Sequence, residues 1–492
     1  MVIETNSISA PFGTANHWNA INWQKCDKLT KGLQARIVQA TKERRWNKVK
    51  ALQYLLTRSF SAKALAVKRV TTNKGKCTPG VDNQVWQTLS AKSHAIAGLT
   101  QKEYKPSPLR RINIPKANGG KRPLGIPTMK DRTMQALYLM GLEPVAETTG
   151  DEDSYGFRVY RSAADAISQI FLVLARKDAP KWILEADIKN CFDEINHDWL
   201  VNSIPMEKKM LKKWLKAGYM EGEMFYNTKI GTPQGGIISP VLANMGLDNL
   251  EDELIKHFGR KGTKKRKKSG VHLIRYADDF IITGKTREIL EEVKPIVEEF
   301  LFKRGLSLSK KKTSVTCIEQ GFDFLGQTIR KYGTKLIIKP SKKSIERLIN
   351  RIRILVRKNL ATTQEEIITM LTPQIRGWAY YHRGVCARKA YEKVDHEIFK
   401  ILWKWAKRRH LNKGLRWIKE KYFKAREGRA WCFGVTCKKG DNTERKELFL
   451  ASSITVRRHR KIRRKANPFD KEWYNYFMER KSNNFSIKKD VI

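Results

Sequence analysis

Three carboxylates in this chain have the type and placement to hold divalent cations. Asp278 and Asp279 lie side by side in the apolar stretch HLIRYADDFIIT, and Asp187 lies in the apolar run Trp182 to Ile188 of KWILEADIKNCFDEINH. The flanks of the acidic pair, His272 to Arg275 and Phe280 to Thr283, are rich in β-branched and aromatic residues, so the pattern predicts strand, tight turn, strand with both acids at the tip. Carboxylates shared between two cations roughly 3.5–4 Å apart suit nucleotidyl transfer, in which one ion activates a 3′-hydroxyl and the other neutralises leaving pyrophosphate. Asp187 and Asp278 are then the metal ligands, Asp279 supports them peripherally, and no side chain has to act as nucleophile. Each acid also has a plainer reading. Asp-Asp in a turn hydrogen-bonds local backbone, and Asp187 suits a helix N-cap or a local salt bridge.

The elements that must position these acids belong to a long, basic chain. Its 492 residues, 41% hydrophobic, suffice for several packed domains. Lys plus Arg number 98 against 49 Asp plus Glu, a formal charge of +49, so a polyanion is the expected partner, with nucleic acid ahead of a membrane surface. No window approaches the ~18 apolar residues of a spanning helix, and MVIETNSISAPFG lacks a basic-then-apolar signal pattern. A compartment containing nucleic acid is expected. The seven cysteines are scattered, which suits reduced thiols. Cys432 and Cys437 have only His459 downstream, too few ligands nearby for structural zinc.

Helical periodicity runs from Trp18 towards Trp86 and breaks at TTNKGKCTPGVD. LRRINIPKANGGKRPLGIPT predicts two strands joined around Asn118-Gly119-Gly120, and Trp182 to Gln327 follows an α+β pattern. Beyond Pro340, Ile345, Leu348, Ile349, Ile352, Leu355 and Val356 form one helical stripe. A second helix is expected to start at Thr362 or Thr363, each in capping-box spacing with Glu365 or Glu366, and a third runs through Tyr391 to Trp405. Two nine-residue basic runs, Arg260 to Lys268 and Arg457 to Lys465, read as phosphate binders, the first equally as a solvated loop.

The ordered blocks RRINIPKANGGKRPLGIPTMKDR, SYGFRVYRSAADAI, ADIKNCFDEINH, GTPQGGIISPVLANMGLDNLE, IRYADDF, GLSLSKKKT and GFDFLG, followed by PQIRGWAYYHRG, resemble a group II intron-encoded reverse transcriptase/maturase over nearly the whole chain. The RGWAYYH segment resembles the maturase-domain mark and separates the chain from retroviral, retron and telomerase enzymes. The resemblance implies an α+β right-hand polymerase with fingers, a palm built on an antiparallel sheet, and an α-helical thumb/maturase domain. The expected division is an N-terminal extension over 1–100, fingers and palm over 101–335, thumb over 336–427, and a small basic DNA-binding region over 428–492. Implied functions are RNA-directed DNA synthesis, promotion of intron splicing, and mobility by target-primed reverse transcription.

Carried over by position, two Mg²⁺ ions fall on Asp187, Ile188 and Asp278, and the substrates are deoxynucleoside triphosphates. Lys116 and Arg122 resemble the side chains that grip the triphosphate, Phe192 the steric gate against a 2′-hydroxyl, Gln234 the residue touching nucleotide and template, and Lys312 the lysine near pyrophosphate. Without the resemblance, these are ordinary hairpin charges, a core Phe and a generic turn. Arg158 and Arg161 are expected along the template path or as solvated arginines; Arg457, Arg458 and Arg460 are expected on target DNA. Implied partners are the intron RNA, an RNA template with DNA primer, and target DNA, with no membrane and a homodimer left open. The location is then bacterial cytoplasm or an organelle's interior. Trp378, Tyr380 and Tyr381 are read as mainly structural. Many relatives end in a histidine-rich endonuclease domain. No histidine follows His459, so second-strand cleavage is not expected and the primer must come from elsewhere. A splicing factor that no longer polymerises is the competing reading, opposed by intact Asp187, Asp278 and Asp279.

Overall fold

The computed structural model describes residues 15–115, 119–228, 230–232, 235–426, 429–439 and 442–489. Helices Trp23–Lys42, Trp46–Arg58 and Phe60–Thr72 pack on the long helix Met129–Thr149, and the short helix Ala15–Asn19 packs on Leu89–Ala97. That helix is buried on nearly all sides and starts at Thr128, whose hydroxyl accepts from the Asp131 amide. Before it, Leu109–Pro115 and Lys121–Ile126 pair antiparallel, and Pro115 lies opposite Lys121. The two expected strands therefore pair, although Asn118 of the connection lies outside the described residues, and Tyr219–Glu221 adds a parallel strand beside Leu109 and Arg110.

A four-stranded antiparallel sheet carries the acids, in the spatial order His272–Tyr276, Asp279–Gly284, Trp182–Asp187, Ser314–Cys317. Alternate residues of a strand point to opposite faces, and both faces of this sheet are covered. Leu184, Leu273 and Ile282 join the core shared with the N-terminal helices, whereas Ile183, Ile274 and Ile281 join a second core under helix Ala163–Leu174. Two-sided burial is why these strands read as continuous apolar runs.

Helices Lys342–Lys358, Gln364–His382 and Arg388–Arg409 form the next unit, around a core that includes the Ile345 to Val356 stripe. Thr363 is the cap of the second helix, in a complete capping box with Glu366. A small sheet, Phe423–Arg426, Arg429–Lys439 and Asn442–Glu447, packs on this unit and spans the division expected between 427 and 428.

From Arg457 onward the chain returns to the palm as a strap. Asp165, fully buried in the first turn of helix Ala163–Leu174, accepts from His459 Nε2 at 2.9 Å, the Ile462 amide at 2.7 Å and Arg480 Nη2 at 3.2 Å. Arg464 pairs with Asp153 at 3.0 Å, and Asp470 with Lys42 at 2.6 Å. Burial raises the Asp165 carboxyl, but bonds from His459 and Ser162 outweigh it and hold the group below the ordinary carboxylate range. Its stabilising contribution is therefore full above about pH 4 and fades as pH falls through the depressed value. Asp165→Ala leaves His459 and Arg480 facing an empty buried position. The substitution is expected to cost on the order of 3 kcal/mol in urea unfolding at pH 7; an unchanged midpoint would show that the strap does not depend on this anchor.

Candidate active site

Register alone brings the three acids to one edge of the palm sheet. Asp187 is the last residue of its strand and lies directly opposite Asp279, while Tyr276 pairs with Asp279 across the two-residue turn Ala277-Asp278. Ala277 takes a left-handed conformation, φ 57°, which closes the turn tightly. Burial raises the Asp278 carboxyl, with Asp187 adding to it; Arg122 and Lys312 oppose the rise. Asp279 presents surface to solvent, yet its crowded setting and the charges of Asp278 and Asp187 push it up to about 6. Burial comes first in both rises, and the like charges facing one another add to it.

Lys312 Nζ lies 2.9 Å from Asp187 Oδ2, and that bond raises the lysine above its ordinary value. One ammonium thus stands against three carboxylates, so the edge retains negative charge suited to hard divalent cations. Among the described residues no group of three Asp, Glu, His or Cys side chains is ready-made for a metal, and the Lys312 ammonium already engages the Asp187 oxygen. The Ile188 side chain is buried.

Phe192 is half-buried beside this edge, edge-on to Phe157 at 6.2 Å between ring centroids. Its carbonyl accepts from Thr232, which straps the Gly231-Thr232 loop against it. Gly231, at φ 86°, has no room for a side chain, since a Cβ would fall 2.5 Å from the Asp193 carbonyl oxygen. Arg122 sits exposed on the fingers hairpin and is felt electrostatically at Asp278. Lys116 and Gln234 lie outside the described residues.

Arg158 and Arg161 do not line an open path or stand in solvent. Arg158 is buried against Glu147 at 2.8 Å and donates to the Asp151 carbonyl at 2.6 Å. Arg161 donates to the carbonyls of Glu152, at 2.7 Å, and Arg464, at 2.8 Å. The first basic run also turns partly inward: Lys261 reaches Glu251 at 2.6 Å and Asp153 at 3.1 Å, and Arg266 is buried. Arg457, Arg458 and Arg460 are exposed, and the Arg458 guanidinium lies over the Phe171 ring, 5.3 Å from its centroid. In the thumb, Trp378 Nε1 donates to Ser344 Oγ at 3.0 Å and Tyr381 OH to the Leu325 carbonyl at 2.8 Å, which are structural roles.

Sequence reasoning missed the surroundings of Arg275. This fully buried side chain pairs with Asp248, and burial raises both Asp248 and Asp151 while Arg275 opposes the rise. The available signal was a charge inside the apolar run HLIRY, since a buried cation needs an anion.

Residues 114–329 match the family of reverse transcriptases (RNA-dependent DNA polymerases), 18–99 the N-terminal domain of reverse transcriptase, and 345–423 the group II intron maturase-specific domain. Protein YkfC of Escherichia coli K12 is 32% identical over 318 residues, 56% of this chain and 83% of YkfC. The group II intron-encoded protein LtrA of Lactococcus lactis is 32% identical over 350 residues, 58% of this chain and 57% of LtrA. A 91 kDa protein of the Schizosaccharomyces pombe cob intron is 30% identical over 311 residues, 51% of this chain and 38% of that protein. The chain thus spans only part of the length of the last two.

A carboxyl raised in the folded state binds its proton more tightly there than in the unfolded chain. The metal-free protein is therefore expected to lose stability as pH rises from about 4 to about 6, where Asp279 ionises against its neighbours. Asp279→Asn should melt higher than the parent in chelator at pH 7, with the gap closing towards pH 4. A gap independent of pH would contradict the charge crowding.

Proposed function

The chain belongs to the group II intron-encoded reverse transcriptases that carry a maturase domain, and we propose that it extends a DNA primer on an RNA template at Asp187, Asp278 and Asp279. The observation that carries this assignment is the convergence of the three acids on one sheet edge, with a single close ammonium from Lys312. Reverse transcriptases generally use divalent metal ions, and this charge balance suits two Mg²⁺ on Asp187, Asp278 and the Ile188 carbonyl, with Asp279 as support. Bound there, the ions would activate the primer hydroxyl and neutralise the departing pyrophosphate.

The protein's own groups do the positioning. Arg122, with Lys116, offers charge to the triphosphate of an incoming deoxynucleotide from the fingers hairpin. Lys312, now on Asp187, is the ammonium that would serve the pyrophosphate were the Asp187 oxygen to bind an ion. Phe192, held by its carbonyl to the Gly231-Thr232 loop, presents its ring as the gate against a 2′-hydroxyl, and Gln234 is the residue proposed to touch nucleotide and template. The maturase-specific segment, 345–423, supports a second role in holding the intron RNA for splicing, chemistry that belongs to the RNA. Mobility by target-primed reverse transcription, action as a dimer, and a place in the bacterial cytoplasm or an organelle belong to the same proposal. Arg457, Arg458 and Arg460 are the groups proposed to meet DNA phosphates.

Asp278→Ala should lower primer extension on an RNA template by more than about 100-fold, while the same preparation still promotes splicing. Unchanged extension would remove the metal assignment. Replacing Arg457, Arg458 and Arg460 by Gln should weaken DNA binding and reduce the slope of log affinity against log salt by up to about 3. If splicing alone suffers, these arginines serve the intron rather than the target.

A further inference from the structure

We propose that Arg275 is a positioning residue which, with Asn244 and the backbone of Gly156, clamps the Ala277-Asp278 turn so that Asp278 stands at a set distance from Asp187; this inference rests on the active-site reading above. Arg275 is the strand residue just before Tyr276 and is bonded in three directions. Its backbone amide donates to the Asp153 carbonyl at 3.0 Å and its carbonyl accepts from Tyr155 at 2.9 Å. Its guanidinium pairs with Asp248, and Nη1 reaches Asn244 Oδ1 at 3.3 Å and the Ala277 carbonyl at 3.5 Å. One residue thus ties the loop before helix Ala163–Leu174 through its backbone, and the end of helix Ser239–Leu247 and the turn itself through its side chain.

Gly156 presses on the same turn from outside. A Cβ at that position would fall 2.9 Å from the Tyr276 carbonyl carbon, and nearer still to the Ala277 nitrogen, inside the closest approach real side chains make. The contact is backbone on backbone, so nothing flexible can yield. Asn244 holds Gly156 there by donating Nδ2 to its carbonyl at 2.7 Å. Asn244 therefore bridges both halves of the clamp, accepting from Arg275 and donating to Gly156.

The turn has reason to need holding. Ala277 sits at positive φ, which a residue with a Cβ adopts only when its surroundings impose it. Asp278, at the turn's apex, is also pushed away from Asp187 by like charge. A purely stabilising ion pair would require Arg275 and Asp248 alone. The bonds to Asn244 and the Ala277 carbonyl, and the missing Cβ at residue 156, all converge instead on the two residues that aim Asp278.

Gly156→Ala and Asn244→Ala test the clamp without removing a buried charge. Mn²⁺ binding to the whole chain, followed by electron paramagnetic resonance, should weaken about 10-fold in each, and kcat for primer extension should fall about 10- to 100-fold. KM for deoxynucleotide and affinity for primer-template should stay within about twofold of the parent. Mn²⁺ affinity and kcat unchanged in both variants would overturn the proposal, as would losses of kcat matched by loss of primer-template binding. If Gly156→Ala does not fold, Asn244→Ala decides by the same two readings. A parent that binds Mn²⁺ in an Asp278-dependent way, beside variants that bind it equally well, overturns the clamp alone. A parent with no such binding overturns the active-site reading and the clamp with it.

Discussion

Three carboxylates forced together at the open end of one sheet are the constraint on which the rest of the molecule depends. Asp187, Asp278 and Asp279 repel one another, and burial together with that repulsion raises the carboxyls of Asp278 and Asp279. A lone hairpin would relax by fraying. This one cannot, because the sheet is packed on both faces and Asp187 is held in register opposite Asp279. A rigid scaffold of this kind holds the acids together in the arrangement that the proposed cation site needs.

The strap extends that scaffold across the whole chain. Within the basic run Arg457 to Lys465, His459, Ile462 and Arg464 engage the palm, while Arg457, Arg458 and Arg460 keep exposed charge, Arg458 with its guanidinium over Phe171. A single segment thus joins the thumb side to the palm and still presents charge outward. Its Arg464 ends on Asp153, whose carbonyl bonds the backbone of Arg275 in the catalytic hairpin strand. The far end of the sequence is mechanically close to the acids.

Local pattern made the hairpin, its turn and the strand ending at Asp187 legible, since short apolar runs and turn chemistry are written within a few neighbouring residues. The capping box at Thr363 and the thumb stripe were legible for the same reason. Side-chain direction was not. Arg158 and Arg161 look like any exposed arginines in a basic chain, and only the fold shows Glu147 and the Arg464 carbonyl awaiting them. Lys261 and Arg266 were hidden in a charge run in the same way. Arg275 required partners at Asp248 and Asp153, brought near only by the tertiary fold, so its role could be asked about from the sequence but not answered.

The central claim is that Asp187, Asp278 and Asp279 share divalent cations, and iron-directed cleavage tests it most directly. Fe²⁺ substituted for Mg²⁺ and activated with ascorbate and peroxide generates hydroxyl radicals that cut the backbone beside the bound ion. The account predicts cuts clustered at residue 187 and at residues 278–279, suppressed together by excess Mg²⁺. Cuts confined elsewhere, or none that Mg²⁺ competes away, would contradict it.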